Sequence, residues 1–178
     1  MRKKLTAEAL YERGLAYYNK GNYDRAIKDY TTAIRIKPNF YEALSNRGVA
    51  YHKKGNYDRA IEDYNAAIMV KPDNEYALNN RGVAYADKGD YDQAIENYNF
   101  ALRIIHFFQN SPIKLDYYDA LNNRGCAYAD IGDYDLAIED FEAVLRIDPN
   151  NAKVRENLEI AQKNKGKELR MDWLSYPD

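Results

Sequence analysis

His52, His106 and Cys126 are the only histidines and the only cysteine of this chain, at intervals of 54 and 20 residues. A structural zinc needs four grouped Cys or His ligands, and a thiol nucleophile needs a partner base. The three residues offer no such spacing, and Cys126 has no histidine beside it in sequence. No phosphate loop, paired catalytic carboxylates or nucleophile with its base stands out, so neither an enzyme nor a metal or other cofactor is expected. A single cysteine cannot form an internal disulfide and fits a reducing, cytoplasmic setting.

Charge and hydropathy narrow the classes further. The 178 residues carry 26 Lys+Arg against 28 Asp+Glu, a net of −2, without the basic excess of a nucleic-acid binder. Mean hydropathy is −0.77, and no run approaches the roughly 20 apolar residues of a membrane span. Met1-Arg2-Lys3-Lys4 is basic, but Glu8, Glu12 and Arg13 occupy the place of an apolar signal core, so no export is expected.

Tyrosine is the outlier, at 18 residues against one Trp. The cause is a repeat. Arg-Gly recurs at Arg13, Arg47, Arg81 and Arg124, spaced 34, 34 and 43 residues. Three residues past each glycine stands Tyr17, Tyr51, Tyr85 or Tyr128. A Gly-[Asn/Asp]-Tyr-Asp turn follows at Gly21, Gly55, Gly89 and Gly132. Then come Ala26, Ala60, Ala94 and Ala137, with Tyr30, Tyr64, Tyr98 and Phe141 four residues later.

Each unit reads as two helices. Leu10, Gly14 and Tyr17 share one face of the first, and Ala26, Ile27, Tyr30, Ala33 and Ile34 form a stripe on the second. The turn glycine suits a left-handed C′ position, and Asn22, Asn56, Asp90 and Asp133 suit the next N-cap. Pro38, Pro72 and Pro149 close three units, because proline cannot continue the helical ladder. The small Gly and Ala columns let the paired helices approach closely.

These residues resemble the tetratricopeptide repeat (TPR), seen as Leu44-x2-Arg47-Gly48-x2-Tyr51, Ala60-x3-Tyr64 and Pro72. The resemblance implies an all-α fold: a right-handed superhelical solenoid of four helix-turn-helix units plus a C-terminal capping helix. The units span 7–40, 41–74, 75–117 (with an insertion at about 106–117) and 118–151 of one domain, 1–178. Residues 152–170 read as the cap, with Val154, Leu158 and Ala161 on one face, and 171–178 as an aromatic tail. Arginine replaces the family's usual leucine before each glycine. Its stem can pack while the guanidinium reaches an acid such as Asp29, Asp63 or Asp140.

The resemblance also implies a function: a non-catalytic scaffold holding a peptide or helix in the concave groove lined by each first helix. Its sixth column places Asn46, Asn80 and Asn123 at one height, as carboxamide rungs for peptide backbone. Tyr11, Tyr18, Val49, Tyr76 and Val83 would add apolar contact, with Asn79 and Asn122 beside them. The groove columns hold six acids (Glu8, Glu12, Glu42, Asp87, Asp119, Asp130) against Lys53, a net of −5, so a neutral or basic partner is expected. The family's clamp for the Hsp70/Hsp90 C-terminal carboxylate needs Lys and Asn where Tyr11 and Leu15 stand, and Lys and Arg where Tyr76 and Asn80 stand. Only Asn46 fits that clamp, so this ligand is not expected. Nor is nucleic acid or membrane. Phe107, Phe108, Trp173 and Tyr176 form a candidate second interface, and self-association through them is the alternative function.

Overall fold

The computed structural model describes the backbone of residues 5–107 and 114–174, and the side chains of 5–106 and 117–167. Phe108 and Tyr176 lie outside the described residues, as do the side chains of Phe107 and Trp173. The chain divides into two compact units, Met1–Asp90 and Tyr91–Asp178. The first contains α1 (Ala7–Asn19), α2 (Tyr23–Ile36), α3 (Tyr41–Lys53), α4 (Tyr57–Val70) and α5 (Glu75–Asp87). The second contains α6 (Tyr91–Phe107), α7 (Lys114–Asp130), α8 (Tyr134–Ile147) and α9 (Ala152–Leu174). Every regular element among the described residues is helical, and the fold is an all-α helical-repeat solenoid.

The turn inside each hairpin works by sharing one residue between two caps. Gly21 adopts φ +71°, where an L side chain would be strained. Its N–H reaches the Tyr18 carbonyl at 2.8 Å, and the Asn22 N–H reaches that of Tyr17 at 2.9 Å, the Schellman closure of α1. The Asn22 side chain then accepts from the Arg25 N–H at 3.2 Å and opens α2. Asn56 and Asp133 repeat the arrangement at α4 and α8.

Helices within a hairpin meet where glycine faces a ring. Tyr64 is 1% exposed, and its Cε1 lies 2.7 Å from where a Cβ on Gly48 would stand. Tyr30 lies under Gly14 and Phe141 under Gly125 in the same way. Tyr30 has no exposed surface, and its hydroxyl has no hydrogen-bond partner. A buried hydroxyl without a partner costs stability, and Phe141 shows that the column accepts phenylalanine. Tyr30→Phe should therefore raise the stability of the first unit by about 1 kcal/mol. A lower urea midpoint in this variant would contradict that account.

The arginine column staples helices together. Arg13, Arg47 and Arg124 each make a two-pronged pair with Asp29, Asp63 and Asp140, at 2.6–2.8 Å. A further nitrogen reaches the preceding hairpin: Arg47 Nη1 donates to Thr31 at 3.1 Å and Arg124 Nη1 to Asn99 at 2.5 Å. One side chain thus ties three helices.

The insertion lengthens helices rather than making one long loop. α6 has 17 residues where the second helices α4 and α8 have 14, and α7 has 17 where the first helices α3 and α5 have 13. Residues 114–117, read from sequence as part of the insertion, already belong to α7. With His106 in place of proline, nothing stops α6 after Ile104. A concavity of about 720 Å³ opens beside Phe100, Arg103, His106, Tyr117 and Leu121.

α9 begins at Asn151, whose side chain caps the Val154 N–H at 3.2 Å. It runs four residues past the expected end, to Leu174, so Met171–Leu174 continue the helix instead of starting a tail. No proline intervenes before Pro177. Val154 (3%) and Ala161 (1%) are buried and Leu158 packs beside them, the face expected of a cap.

Candidate functional site

The columns expected to line a groove come from α1, α3 and α5 in the first unit and from α7 in the second. In the first unit α3 lies between α1 and α5. Asn46 on α3 donates one N–H to the Glu42 carbonyl at 2.9 Å, one turn back, and one to the Tyr11 hydroxyl on α1 at 3.1 Å. Both of its N–H groups are therefore committed, and its carbonyl oxygen is left to accept. Asn80 on α5 repeats the first bond, to the Tyr76 carbonyl at 2.7 Å. The two carboxamides are thus held in place by bonds to their own helices.

The other expected contact residues divide by burial. Tyr76 is 43% exposed, and Tyr11, Tyr18, Asn79 and Val83 are half-buried. Val49 is buried in the cluster that contains Tyr64, with Tyr18 packed on it, so it supports the face rather than presenting surface. Tyr11 packs between Tyr30 and Phe40, with ring centroids 5.9 and 5.0 Å away. Burial, then the charges of Glu42 and Glu12, push its hydroxyl above the ordinary phenol value.

His52, on α3, makes a second side-chain link between first-helices. Its Nε2 lies 2.7 Å from Asp87 Oδ2, joining α3 to α5. Of the acids counted into the groove charge, Asp87 thus has a hydrogen-bonding partner in His52, and Glu8 is paired with Lys37 at 3.3 Å.

In the second unit the decisive residue is one that the sequence reading passed over. Asn157 on α9 donates to Asn122 Oδ1 at 3.1 Å and approaches Cys126 Sγ at 3.5 Å. It stands 34 residues after Asn123, so continuing the column count past 151 would have found it. Asn157 reaches back 35 residues to α7 as Asn46 reaches back 35 to α1. Lys165 pairs with Asp135 thirty residues earlier, as Lys54 does with Asp24 and Lys88 with Asp58. By these marks α9 continues the series of first-helices as a fifth, and among the described residues no second helix packs on it.

Its residue types follow from that. Positions facing the preceding hairpin are apolar (Val154, Ala161), like Ala43 and Ala50 on α3. Positions that face a hairpin's own second helix, Leu44 and Gly48 on α3, are the exposed Arg155 and Glu159 on α9. Cys126 is half-covered here. Burial, then Asp130, push its thiol above the usual value, away from thiolate reactivity.

Family profiles decide what these hairpins are. The TPR repeat profile matches residues 14–55 and 50–89, and the tetratricopeptide repeat profile matches 75–108 and 118–151. The chain belongs to the TPR family.

Solved TPR structures agree with the fold. The crystal structure of MamA protein superposes with a TM-score of 0.76 at 24% identity, over 90% of this chain and 82% of that one. A tetratricopeptide repeat protein from Parabacteroides merdae gives 0.75 at 24% identity, over 90% and 60%. The first TPR of Spaghetti, bound to an HSP90 peptide, gives 0.62 at 25% identity, over 71% and 93%. No curated protein matches the chain significantly. Among the described residues no helix is long and apolar enough to cross a membrane. As a TPR fold, the chain is an interaction scaffold in general class.

Proposed function

We propose that this TPR protein binds an extended peptide or helix of a partner protein on the face of its first-helices, without catalysis. The observation that carries this reading is the Asn46 carboxamide, pinned by Glu42 and Tyr11 with its acceptor oxygen uncommitted. Asn80 is oriented by the same one-turn bond, and Asn123 occupies the matching column of the second unit. Pinned carboxamides one repeat apart suit the backbone of an extended chain, whose own groups recur at short, regular intervals.

The partner is neutral or basic. Glu12 and Glu42 on the first unit, with Asp119 and Asp130 on the second, steer against acidic segments. The Spaghetti repeats hold an HSP90 peptide. Here Tyr11, Leu15, Tyr76 and Asn80 stand at columns where a carboxylate clamp needs cations and asparagine, so that ligand is disfavoured. The same acidity disfavours nucleic acid, and the setting we favour is cytoplasmic.

The test is affinity enrichment from a native lysate, with wild type beside an Asn46→Ala/Asn80→Ala/Asn123→Ala variant shown to be helical. Each rung should contribute about 1 kcal/mol to binding. Partners captured by the wild type and lost from the variant would support the face as the site. Equal capture by both would overturn it.

A further inference from the structure

α1 packs on α2 and α3, and its opposite side is uncovered among the described residues. α3, α5 and α7 each turn two alanines toward the second helix before them, and Ala43, Ala50, Ala77, Ala84, Ala120 and Ala127 are at most 1% exposed. Ala9 and Ala16 hold the same columns on α1 and are exposed. The arginine between them differs in the same sense. Arg47, Arg81 and Arg124 each donate Nη1 to the preceding second helix, at Thr31 (3.1 Å), Asn65 (2.6 Å) and Asn99 (2.5 Å). Arg13 binds Asp29 through Nε and Nη2, and its Nη1 has no acceptor among the described residues. Its side chain is 49% exposed, against 18% for Arg47 and 22% for Arg124. Lys54 and Lys88, just past the ends of α3 and α5, pair with Asp24 and Asp58. Lys20 stands in their column, exposed and with no ion pair among the described residues.

The chain itself shows what covers such a side. Over α3 lies α2, with Ile27 packed on the cluster of Ala50 and Ile34 on that of Ala43. Over α5 lies α4, with Ile61 and Ile68 in the cluster of Ala77 and Ala84. With the acid and the acceptor added, α2 reads Asp24-x2-Ile27-x3-Thr31-x2-Ile34 and α4 reads Asp58-x2-Ile61-x3-Asn65-x2-Ile68. Offsets of three, seven and ten residues keep all four side chains on one helical face. Isoleucine supplies the apolar area, and the alanines opposite leave room for it. The acid sits in the first turn of the covering helix and the lysine beyond the last turn of the other, so the two run antiparallel.

We propose that the uncovered side of α1 docks one helix of a partner protein bearing Asp-x2-Ile-x3-[Thr/Asn]-x2-[Ile/Leu], antiparallel to α1. The two apolar side chains rest on Ala9 and Ala16, Arg13 Nη1 donates to the Thr or Asn, and Lys20 pairs with the Asp. A helix with leucine throughout would fill the space but leave both donors without acceptors, so the polar columns select the partner. In this chain α2, α4, α6 and α8 already lie against α3, α5, α7 and α9. A second copy therefore has no such face free, and the occupant is another protein. α9 is built otherwise, with the exposed Arg155 and Glu159 on its uncovered side, as suits an end that faces water. The docking side uses residues of α1 other than those of the carboxamide face, so it does not depend on what that face binds.

The probe is a fluorescein-labelled peptide of residues 55–73, because α4 carries the pattern. A lactam between Asp63 and an Arg59→Lys substitution, on the side away from Ile61 and Ile68, holds it helical. Anisotropy titrations compare the wild-type chain with Ala9→Glu/Ala16→Glu. An Ile36→Glu/Met69→Glu control adds the same charge at exposed second-helix positions. The peptide should bind the wild type saturably, and Ala9→Glu/Ala16→Glu should weaken it about tenfold by setting carboxylates against isoleucines. The control should leave it unchanged. An Asp58→Lys peptide should bind the wild type about threefold more weakly and recover that loss on Lys20→Asp, as a swapped exposed ion pair would. Absence of binding, indifference to Ala9→Glu/Ala16→Glu, equal loss from the control, or no recovery in the swap would each overturn the docking surface. Sedimentation velocity of the chain alone should show one mass at all concentrations. An oligomer that dissociates in Ala9→Glu/Ala16→Glu would put a second copy on this side and overturn the partner helix.

Discussion

Replacing Arg47 by methionine should lower the stability of the first unit by about 3 kcal/mol, the cost of stranding one partner of a buried ion pair. Asp63 has 7% of its side chain exposed, and both its oxygens are bound by Arg47, at 2.8 and 2.6 Å. Methionine keeps the aliphatic stem but supplies no donors, so the carboxylate loses its countercharge and the Thr31 hydroxyl loses a partner from the next hairpin. Burial already pushes the Asp63 carboxyl above its ordinary value, and Arg47 is what pulls it back. Without Arg47, burial acts with less opposition. The folded variant should then take up a proton more readily than its unfolded chain, so its stability rises as pH falls from neutral toward the ordinary carboxylate range. The penalty is greatest at neutral pH and shrinks in mild acid. Urea melts of Arg47→Met at several pH values measure this directly. Arg47→Met/Asp63→Leu should recover most of the loss, since a dry, well-packed pair replaces a stranded charge. If the double variant is no better than the single, stranding is not the cause. The third repeat offers a natural comparison, with Asn97 standing in the column of Asp63.

Gly48→Ala is expected to cost about 2 kcal/mol, against the usual preference of helices for alanine. Gly48 lies within α3, where alanine would normally add about 1 kcal/mol. Its new methyl would stand 2.7 Å from Tyr64 Cε1, 3.0 Å from Cδ1 and 3.1 Å from Cζ. Those are ring atoms of a residue 1% exposed, with Ala60, Ala67, Ala77 and Ala84 in the same cluster, so the ring has little room to yield. α3 must instead move away from α4. The middle hairpin then loosens its contacts with both neighbours, which is how repeat arrays lose cooperativity. Gly48→Ala/Tyr64→Leu removes the obstructing ring and should regain part of the loss. A thermal melt showing Gly48→Ala as stable as wild type would remove the close-approach explanation for the glycine column.

Much of this fold is written in the period. The Arg-Gly and Gly-[Asn/Asp]-Tyr columns predict the hairpins, their left-handed turn and the double-duty cap at Asn22, Asn56 and Asp133, because each depends on residues within one or two turns of each other. The pairing of Arg47 with Asp63 was also legible, since both lie in one hairpin at a repeated separation. α9 was seen as a cap from Val154, Leu158 and Ala161, but its length was underestimated, because no breaking residue marks a boundary at 170.

What the sequence could not reveal is how one hairpin meets the next. Val49 and Tyr76 both belong to lining columns, yet one is buried and the other 43% exposed. The bonds Asn46–Tyr11, His52–Asp87 and Asn157–Asn122 each span 35 residues, one period plus one step around the helix. Their partners differ in type each time, so no motif announces them. The sequence by itself determined the repeat, its helices and its caps, because backbone conformation and hairpin packing answer to nearby residue types. Only the tertiary structure decided which side chains of the lining columns bond one another and which stay exposed. That choice depends on the offset between stacked hairpins, which side-chain volumes settle jointly and no single column encodes.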